Sequence, residues 1–270
     1  MNQLQLLQFY QSYTPNTNPH ELAYLYEGMP EDWSELCRLI KCQLIHPAAV
    51  KKVRHLLASH RKNEDEHFYT VHDMLEALLD RNANGLIDER LPRERLILSC
   101  RFHSILLLSI ARSKGIPARL RVGFARYLSE NELKYIDHWI CEVWGEKEER
   151  WIRVDPDMQI VDLRGDDYLL AGEAWLMARD KEINPKLFGV KKSWGMAYIR
   201  NNLCYDLHAV LGRELRYWDY PPICQRDMED LDFEELQLLD EIAVCLEDPD
   251  LHREELQRIL EENDALHFQS

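Results

Sequence analysis

Three residues of the sequence, Cys100, His138 and Asp155, have the side-chain types that nucleophilic catalysis by a thiol requires. A thiol must lose its proton before it attacks a carbonyl carbon, and an imidazole can accept that proton. A carboxylate can then hold the imidazole in the correct tautomer and orientation. The sequence therefore contains the groups for acyl transfer or amide hydrolysis, provided that the fold brings them together.

The element that carries Cys100 is predicted to be a buried helix. Ser99 is a good N-cap residue, and an almost unbroken apolar run follows Cys100. Gly115 and Pro117 are typical of a helix end. A thiol at the amino end of such a helix faces unpaired backbone N–H groups and the positive end of the helix dipole, which favours the thiolate.

After this helix, apolar residues recur at every second position, which is typical of strands. Apolar and polar residues alternate in Ala118–Leu128, and two further β segments are predicted at His138–Trp144 and Trp151–Asp155. Helical periodicity precedes and follows this region. The order of helices, a short antiparallel sheet and helices again predicts an α+β fold.

The strand register gives a first estimate of how the base and the carboxylate meet. If Gly145–Glu148 is a hairpin loop, Trp144 lies opposite Glu149 and His138 lies opposite Asp155. Directly opposed side chains share a face, with Cβ atoms roughly 4.5–5.5 Å apart. We therefore expect His138 and Asp155 to be within reach of each other.

Composition and charge exclude several classes of partner. The chain has 270 residues and a formal net charge of −15, which argues against nucleic acid and against anionic membrane surfaces. No apolar run is long enough to cross a bilayer, and the N-terminus does not resemble a signal peptide. The seven cysteines show no disulfide spacing pattern. We expect a cytoplasmic protein with reduced thiols.

The order of these motifs resembles the transglutaminase-like superfamily, whose members share a papain-like core. The resemblance is carried by Cys100 with its helix, Gly115–Arg119, Gly123–Phe124, Asp137–Trp139 and Arg150–Pro156. Segments from residue 168 to residue 219 look like the continuation of a bacterial branch of the superfamily, whose substrate is not settled. The resemblance implies a catalytic core at residues 71–222, a helical N-terminal extension at 1–70 and an acidic helical C-terminal extension at 223–270.

The resemblance also implies roles for individual residues. Cys100 corresponds to the nucleophile, His138 to the general base and Asp155 to the third member of the triad. Trp139 and His103 are candidate substrate-binding residues, since Trp139 adjoins His138 and His103 lies one helical turn from Cys100. The implied reaction is acyl transfer or hydrolysis on an amide or thioester substrate through a thioacyl-enzyme, without a cofactor.

Several alternatives remain open at this point. Taken singly, Cys100, His138 and Asp155 could each have a structural role. The whole protein could then be a scaffold that keeps the fold without catalysing a reaction. A cysteine peptidase, an amidase or an amide synthase would use the same groups.

Two other motifs match the spacing of metal sites in part. Cys37, Cys42, His55 and His60 have zinc-finger spacing but no surrounding hairpin. Asp80, Asn82 and Asn84 match part of a calcium loop, although Leu91 stands where the bidentate glutamate belongs. An Asn-Gly turn that closes a helix explains the same residues.

Overall fold

The computed structural model describes residues 1–130, 133–165 and 167–268. The helices are α1 (Gln3–Gln11), α2 (Trp33–Gln43), α3 (Val50–Val53), α4 (Val71–Arg81), α5 (Cys100–Ser113), α6 (Ala171–Arg179), α7 (Met196–Val210), α8 (Phe233–Cys245) and α9 (Arg253–Glu262). The strands are β1 (Leu44–Ile45), β2 (Leu96–Ile97), β3 (Ala118–Ala125), β4 (Tyr135–Gly145), β5 (Arg150–Asp155), β6 (Ile160–Val161), β7 (Tyr168–Leu170), β8 (Phe188–Val190) and β9 (Ser193–Trp194). This sequence of elements confirms the α+β class, with Cys100 at the start of α5.

The contacts within the chain divide it into two compact units. The cysteine unit consists of Leu7–Leu120 and Ile140–Leu163, and the histidine unit consists of Met1–Leu6, Arg121–Trp139 and Arg164–Ser270. Both units are built from discontinuous segments. The boundaries expected at residues 70/71 and 222/223 therefore stay a prediction.

Helix α5 is the centre of the cysteine unit. Every residue from Cys100 to Arg112 is buried, as the apolar sequence predicts. The helix ends as expected at Gly115, which has a φ of +70°. The N–H of Gly115 donates to the carbonyl of Arg112, and the N–H of Ile116 donates to that of Ala111. This pair of bonds is a Schellman motif, which satisfies the last carbonyls of the helix.

The main sheet has the strand order β6-β5-β4-β3-β7, and β8 pairs with β4 and with β9. Strands β4 and β5 are antiparallel, with Trp144 opposite Trp151 and Cys141 opposite Val154. Strand β7 pairs antiparallel with β3, and β8 pairs parallel with β4. A separate parallel pair, β1 with β2, leads into α5.

The histidine unit has its own hydrophobic core, to which α6, α7, α8 and α9 contribute. Most of the large apolar residues of the acidic C-terminal region are buried in this core: Leu231, Leu239, Ile242, Leu246, Leu256 and Leu260. Leu236 is partly buried against the same core. The acidic residues therefore lie on the solvent side of an apolar interface, as the amphipathic pattern indicates.

Both arginines of β3 pair with acids rather than with solvent. Arg119 donates to Glu142 at 2.7 Å, and Arg121 donates to Asp206 at 2.9 Å. Each pair is buried. Among the residues that the structure describes, no helix is both long and apolar enough to cross a membrane.

Candidate active site

Cys100 is the first residue of α5, and its side chain is buried, with a relative exposure of 4%. The preceding residue, Ser99, has an extended backbone, so the chain turns into the helix at Cys100. The N–H of Ser99 donates to Asp65 at 2.9 Å, and this bond ties the start of α5 to a distant loop. Cys100 thus occupies the helix N-terminus that the sequence predicts, which is the position that favours a thiolate.

Asp155 is the last residue of β5 and is fully buried. Its Oδ1 atom accepts the N–H groups of Asp157 and Met158, each at 3.0 Å. Pro156, which follows Asp155 directly, favours an extended backbone at Asp155, where the strand ends. The two bonds fix the orientation of the carboxylate, which a group that positions an imidazole requires.

Asp157, which the sequence pattern does not single out, is the centre of a partly buried polar cluster. Its carboxylate accepts a hydrogen bond from Lys41 Nζ at 2.5 Å. His46 Nε2 lies 3.9 Å away and His103 Nε2 lies 3.6 Å away. The only sequence signal was its place in the Asp-Pro-Asp run, since Lys41 and His46 are more than a hundred residues away.

His103 joins this cluster to the start of α5. Its Nδ1–H donates to the carbonyl of Ser99 at 3.0 Å, which places the proton on Nδ1. Burial lowers the pKa of His103 to about 3, although the Asp157 carboxylate acts in the opposite direction. His103 is therefore a neutral, fully buried side chain, and this placement favours a structural role over substrate contact.

His138 lies on β4 in the histidine unit and is buried. The ring of Tyr127 meets its imidazole edge to face, with the centroids 6.1 Å apart. Its backbone carbonyl accepts the hydroxyl of Tyr168 at 2.9 Å. These contacts hold the strand segment that presents His138.

The neighbours of His138 on β4 are anchored to α7 and the segment after it. Asp137 accepts hydrogen bonds from Asn202 Nδ2 at 2.8 Å and from the Tyr198 hydroxyl at 3.1 Å. Burial raises the pKa of Asp137, while these hydrogen bonds oppose the shift. Trp139 is fully buried, with its ring centroid 5.5 Å from that of Tyr205 and 5.0 Å from that of Tyr217. This aromatic packing favours a core role for Trp139.

The hairpin register predicted from the sequence is wrong by two residues. Trp144 lies opposite Trp151 instead of Glu149, so Asp155 is not directly opposite His138. The loop is Glu146–Glu149, because Glu149 has a φ of +49° and cannot continue the strand. A shift of two residues, unlike a shift of one, leaves each side chain on the face that the alternation assigns to it.

The segment proposed as a calcium loop is occupied by a guanidinium group. Arg90, which is 1% exposed, donates to the carbonyl of Gly85 at 3.0 Å, that of Asn82 at 3.1 Å and that of Asn84 at 2.6 Å. The Asn82 side chain bonds to the N–H of Asn84 and to Glu94. The chain thus supplies its own cation to these oxygens, and Asp80 stays on α4.

Comparison with known proteins identifies the core. Residues 95–156 match the family model described as the transglutaminase-like superfamily, which confirms the resemblance over these residues. This segment is a minority of the 270-residue chain, and it contains Cys100, His138 and Asp155. No curated protein and no solved structure matches the chain. The similarity to that superfamily therefore holds for residues 95–156; its members are generally cysteine enzymes, although some are non-catalytic.

Proposed function

We propose that the chain is a cysteine enzyme in which Cys100, His138 and Asp155 form a catalytic triad. The observation that carries this proposal is the position of Cys100, which is the first residue of a buried helix inside the segment that matches the superfamily. The same segment contains His138 and Asp155. The anchored carboxylate of Asp155 is further support, since an orienting group must itself be fixed.

The reaction that these groups support is acyl transfer through a thioester. His138 takes the thiol proton, and the Cys100 thiolate attacks the carbonyl carbon of an amide or thioester. As the carbon–nitrogen or carbon–sulfur bond breaks, the leaving amine or thiol receives the proton from His138. Water or an amine then attacks the thioester carbon, passes a proton to His138, and releases the product together with Cys100 thiolate.

The backbone N–H at the start of α5 is the natural donor to the oxyanion that forms during both attacks. One such donor is typically worth about 3–4 kcal/mol of transition-state stabilisation. We assign Asp157, with Lys41 and His103, to positioning of the Asp155 turn and of the start of α5. The Asp157 N–H donates to Asp155, His103 donates to the carbonyl of Ser99, and Lys41 donates to the Asp157 carboxylate.

The molecule that attacks the thioester decides the reaction: water gives hydrolysis, and an amine gives transamidation or amide synthesis. A peptidase or amidase releases a free acid, whereas a transglutaminase-like transferase or an amide synthase forms a new amide. Mass spectrometry of products with and without an added primary amine separates the two outcomes. The substrate class we propose is an amide- or thioester-bearing protein, peptide or small molecule, with no nucleic acid or membrane partner because the net charge is −15.

A second candidate is a scaffold that retains the fold without turnover. The observation that favours it is the burial of Cys100, whose relative exposure is only 4%. Under this alternative the thiol would be as unreactive as the other buried cysteines. Burial raises the pKa of Cys37 to about 12 and raises that of Cys141 well above its ordinary value.

The deciding experiment is the rate of Cys100 alkylation by iodoacetamide as a function of pH, read by peptide mass spectrometry. Cys37 and Cys141 serve as internal references because their pKa values are raised. We expect Cys100 to react well below the pKa of a free thiol, roughly 8.5, and His138→Gln to abolish this reactivity. The matched control is His208→Gln, which removes another buried histidine of the same unit. Reaction of Cys100 only on unfolding would establish the scaffold.

The cysteines also bear on the compartment. All seven are buried free thiols, and five of them have raised pKa values: Cys37, Cys42, Cys141, Cys204 and Cys245. Free thiols are typical of reducing compartments. We therefore propose a cytoplasmic location, which measurement of the thiol state in cell extracts would test.

A further inference from the structure

The cysteine unit contains a cavity to which neither Cys100 nor Asp155 contributes. Its volume is about 310 Å³, at the lower end of the range for small-molecule sites, roughly 300–1,000 Å³. Most of its walls come from the segment that precedes α4, together with one residue at the end of α4 and one just before β2. The lining residues are His60, Arg61, Lys62, Asn63, Glu64, His67, Arg81 and Arg93.

The charge of this cavity is opposite to that of the chain. Four cationic side chains, Arg61, Lys62, Arg81 and Arg93, stand against the single carboxylate of Glu64. With the two histidines neutral, the local charge is +3, whereas the whole chain has a net charge of −15. A concave site with a concentrated positive charge attracts anions, because its walls focus the field.

Two of the four cations form a rigid base. Arg61 Nη2 donates to both carboxylate oxygens of Glu64 at 2.9 Å, and Arg81 Nη2 donates to the same carboxylate at 3.0 Å. Arg61 and Arg81 also donate to the backbone carbonyl of Arg95, at 2.8 and 2.6 Å. Although burial acts in the opposite direction, hydrogen bonds from Arg61, the Ile97 N–H and Arg81 lower the pKa of Glu64. The Glu64 carboxylate thus fixes the guanidinium groups of Arg61 and Arg81. Because it neutralises only one of their two charges, a net charge of +1 remains.

The other two cations have no carboxylate of their own. Within residues 1–130, 133–165 and 167–268, neither Lys62 nor Arg93 forms an ion pair, and both side chains are exposed at the cavity. Both charges therefore border the cavity without being neutralised by an ion pair. This arrangement differs from that of Arg119 and Arg121, each of which is matched by a buried acid.

We propose that this cavity binds a small oxyanion with at least two negative charges, a phosphate group in chemical terms. A doubly charged tetrahedral oxyanion offsets most of the +3 charge, and the Arg93 guanidinium can donate to two of its oxygens in bidentate fashion. The concave shape suits a small molecule, and the acidic remainder of the chain opposes a long polyanion. The proposal is independent of the triad, because binding at this cavity requires no turnover at Cys100.

The test is isothermal titration calorimetry of the full chain at low ionic strength with inorganic phosphate, with pyrophosphate and with glycerol 3-phosphate. We expect binding with a Kd of about 1 mM or tighter for at least one of them, and a rise in Tm with ligand concentration. The tightest of the three identifies the source of the phosphate group as free or esterified. Sodium chloride at equal ionic strength should give neither effect.

Charge-neutralising variants locate the binding. Arg93→Gln and Lys62→Gln should each weaken binding about fivefold to tenfold, because each removes a charged donor from the cavity. Both residues are exposed, so the variants should fold, as circular dichroism can verify. Lys192→Gln is the matched control, since it removes an exposed lysine elsewhere and should change the Kd less than about twofold. Absence of binding by all three ligands, or equal weakening by all three variants, would refute the proposal.

Discussion

The buried ion pair between Arg121 of β3 and Asp206 of α7 gives the sharpest prediction of stability. The side chains are 2% and 0% exposed. Asp206 accepts from Arg121 Nε at 3.1 Å and from Nη2 at 2.9 Å, and it also accepts the N–H of Val122 at 2.8 Å. Arg121 additionally donates to the carbonyl of Leu246 at 3.0 Å. The pair therefore joins a strand, a helix and the end of α8.

Replacement of Asp206 by leucine should remove the carboxylate that pairs with the buried Arg121 charge. Breaking a buried pair in this way costs about 3–5 kcal/mol. For a chain of this size, about 2–3 °C of Tm per kcal/mol gives a decrease of about 10 °C. The double variant Arg121→Met/Asp206→Leu removes both charges and leaves only smaller losses, such as the unpaired Val122 N–H at about 1–3 kcal/mol.

We therefore expect Asp206→Leu alone to be less stable than the double variant. Urea unfolding followed by circular dichroism measures both free energies of unfolding, and the m-values report whether the transition remains two-state. A loss below about 1 kcal/mol in Asp206→Leu would refute the reasoning. So would a double variant that is as unstable as Asp206→Leu, since the loss of the Asp206 carboxylate beside the Arg121 charge would then not be the cause.

Three further perturbations can be measured by the same unfolding assay. Burial lowers the pKa of His103 to about 3 and that of His208 to about 4, so the folded state binds fewer protons than the unfolded state below about pH 6.5. Stability should fall as the pH decreases from 7 to 5, by about 2 kcal/mol for each histidine, and His208→Gln should flatten the profile. Gly123→Ala should cost about 1–3 kcal/mol, because a Cβ there overlaps the backbone of β7, whereas Gly85→Ala has open space and should cost much less. Arg90→Lys should cost about 1–3 kcal/mol, since an ammonium group cannot reach the carbonyls that the guanidinium bridges; a loss below 0.5 kcal/mol would show that these bonds are weak.

The sequence determined the elements well because local signals specified them. The beginning of α5 at Cys100 and its end at Gly115 follow from residues within the helix and its caps. The alternation in β3 likewise predicted a strand, which the structure bounds at Ala118–Ala125. Such local signals require no knowledge of the partners of an element.

The register of the hairpin could not be read in the same way. The decisive feature is the left-handed conformation of Glu149, and glutamate is not a residue that signals such a conformation. Trp144 is also fixed by the bond from its N–H to the carbonyl of Pro117 at 2.8 Å, which no pattern in the hairpin encodes. The two-residue error thus has two causes, one in the loop and one outside the hairpin.

The polar surroundings of the candidate site were predicted least well, because their partners are distant in the chain. Asp157 meets Lys41 across 116 positions, and no periodicity links the two residues. The calcium-loop pattern illustrates a related difficulty, since Arg90 lies just beyond the motif and its guanidinium donates to the carbonyls of Gly85 and Asn84. Charged side chains satisfy backbone oxygens wherever the fold brings them, so spacing alone does not separate these cases.

Ser99 shows how the structure changes an expectation even where the element itself is confirmed. As a conventional N-cap, its hydroxyl would accept a helix N–H, and Ser99→Ala would cost about 1 kcal/mol. The structure has no such bond: within the described residues the buried Ser99 hydroxyl has no hydrogen-bond partner. The entry into α5 is instead held by Asp65, which accepts the Ser99 N–H at 2.9 Å.

We therefore expect Ser99→Ala to change the free energy of unfolding by less than about 0.5 kcal/mol, or to raise it, because a buried unpaired hydroxyl is removed. Asp65→Ala should cost about 1–3 kcal/mol, since the buried Ser99 N–H loses its acceptor. It should also alter the alkylation rate of Cys100, whose helix begins at the next residue. A loss in Ser99→Ala as large as that in Asp65→Ala would show that the hydroxyl stabilises the start of α5, and the absence of a loss in Asp65→Ala would show that Asp65 does not hold it.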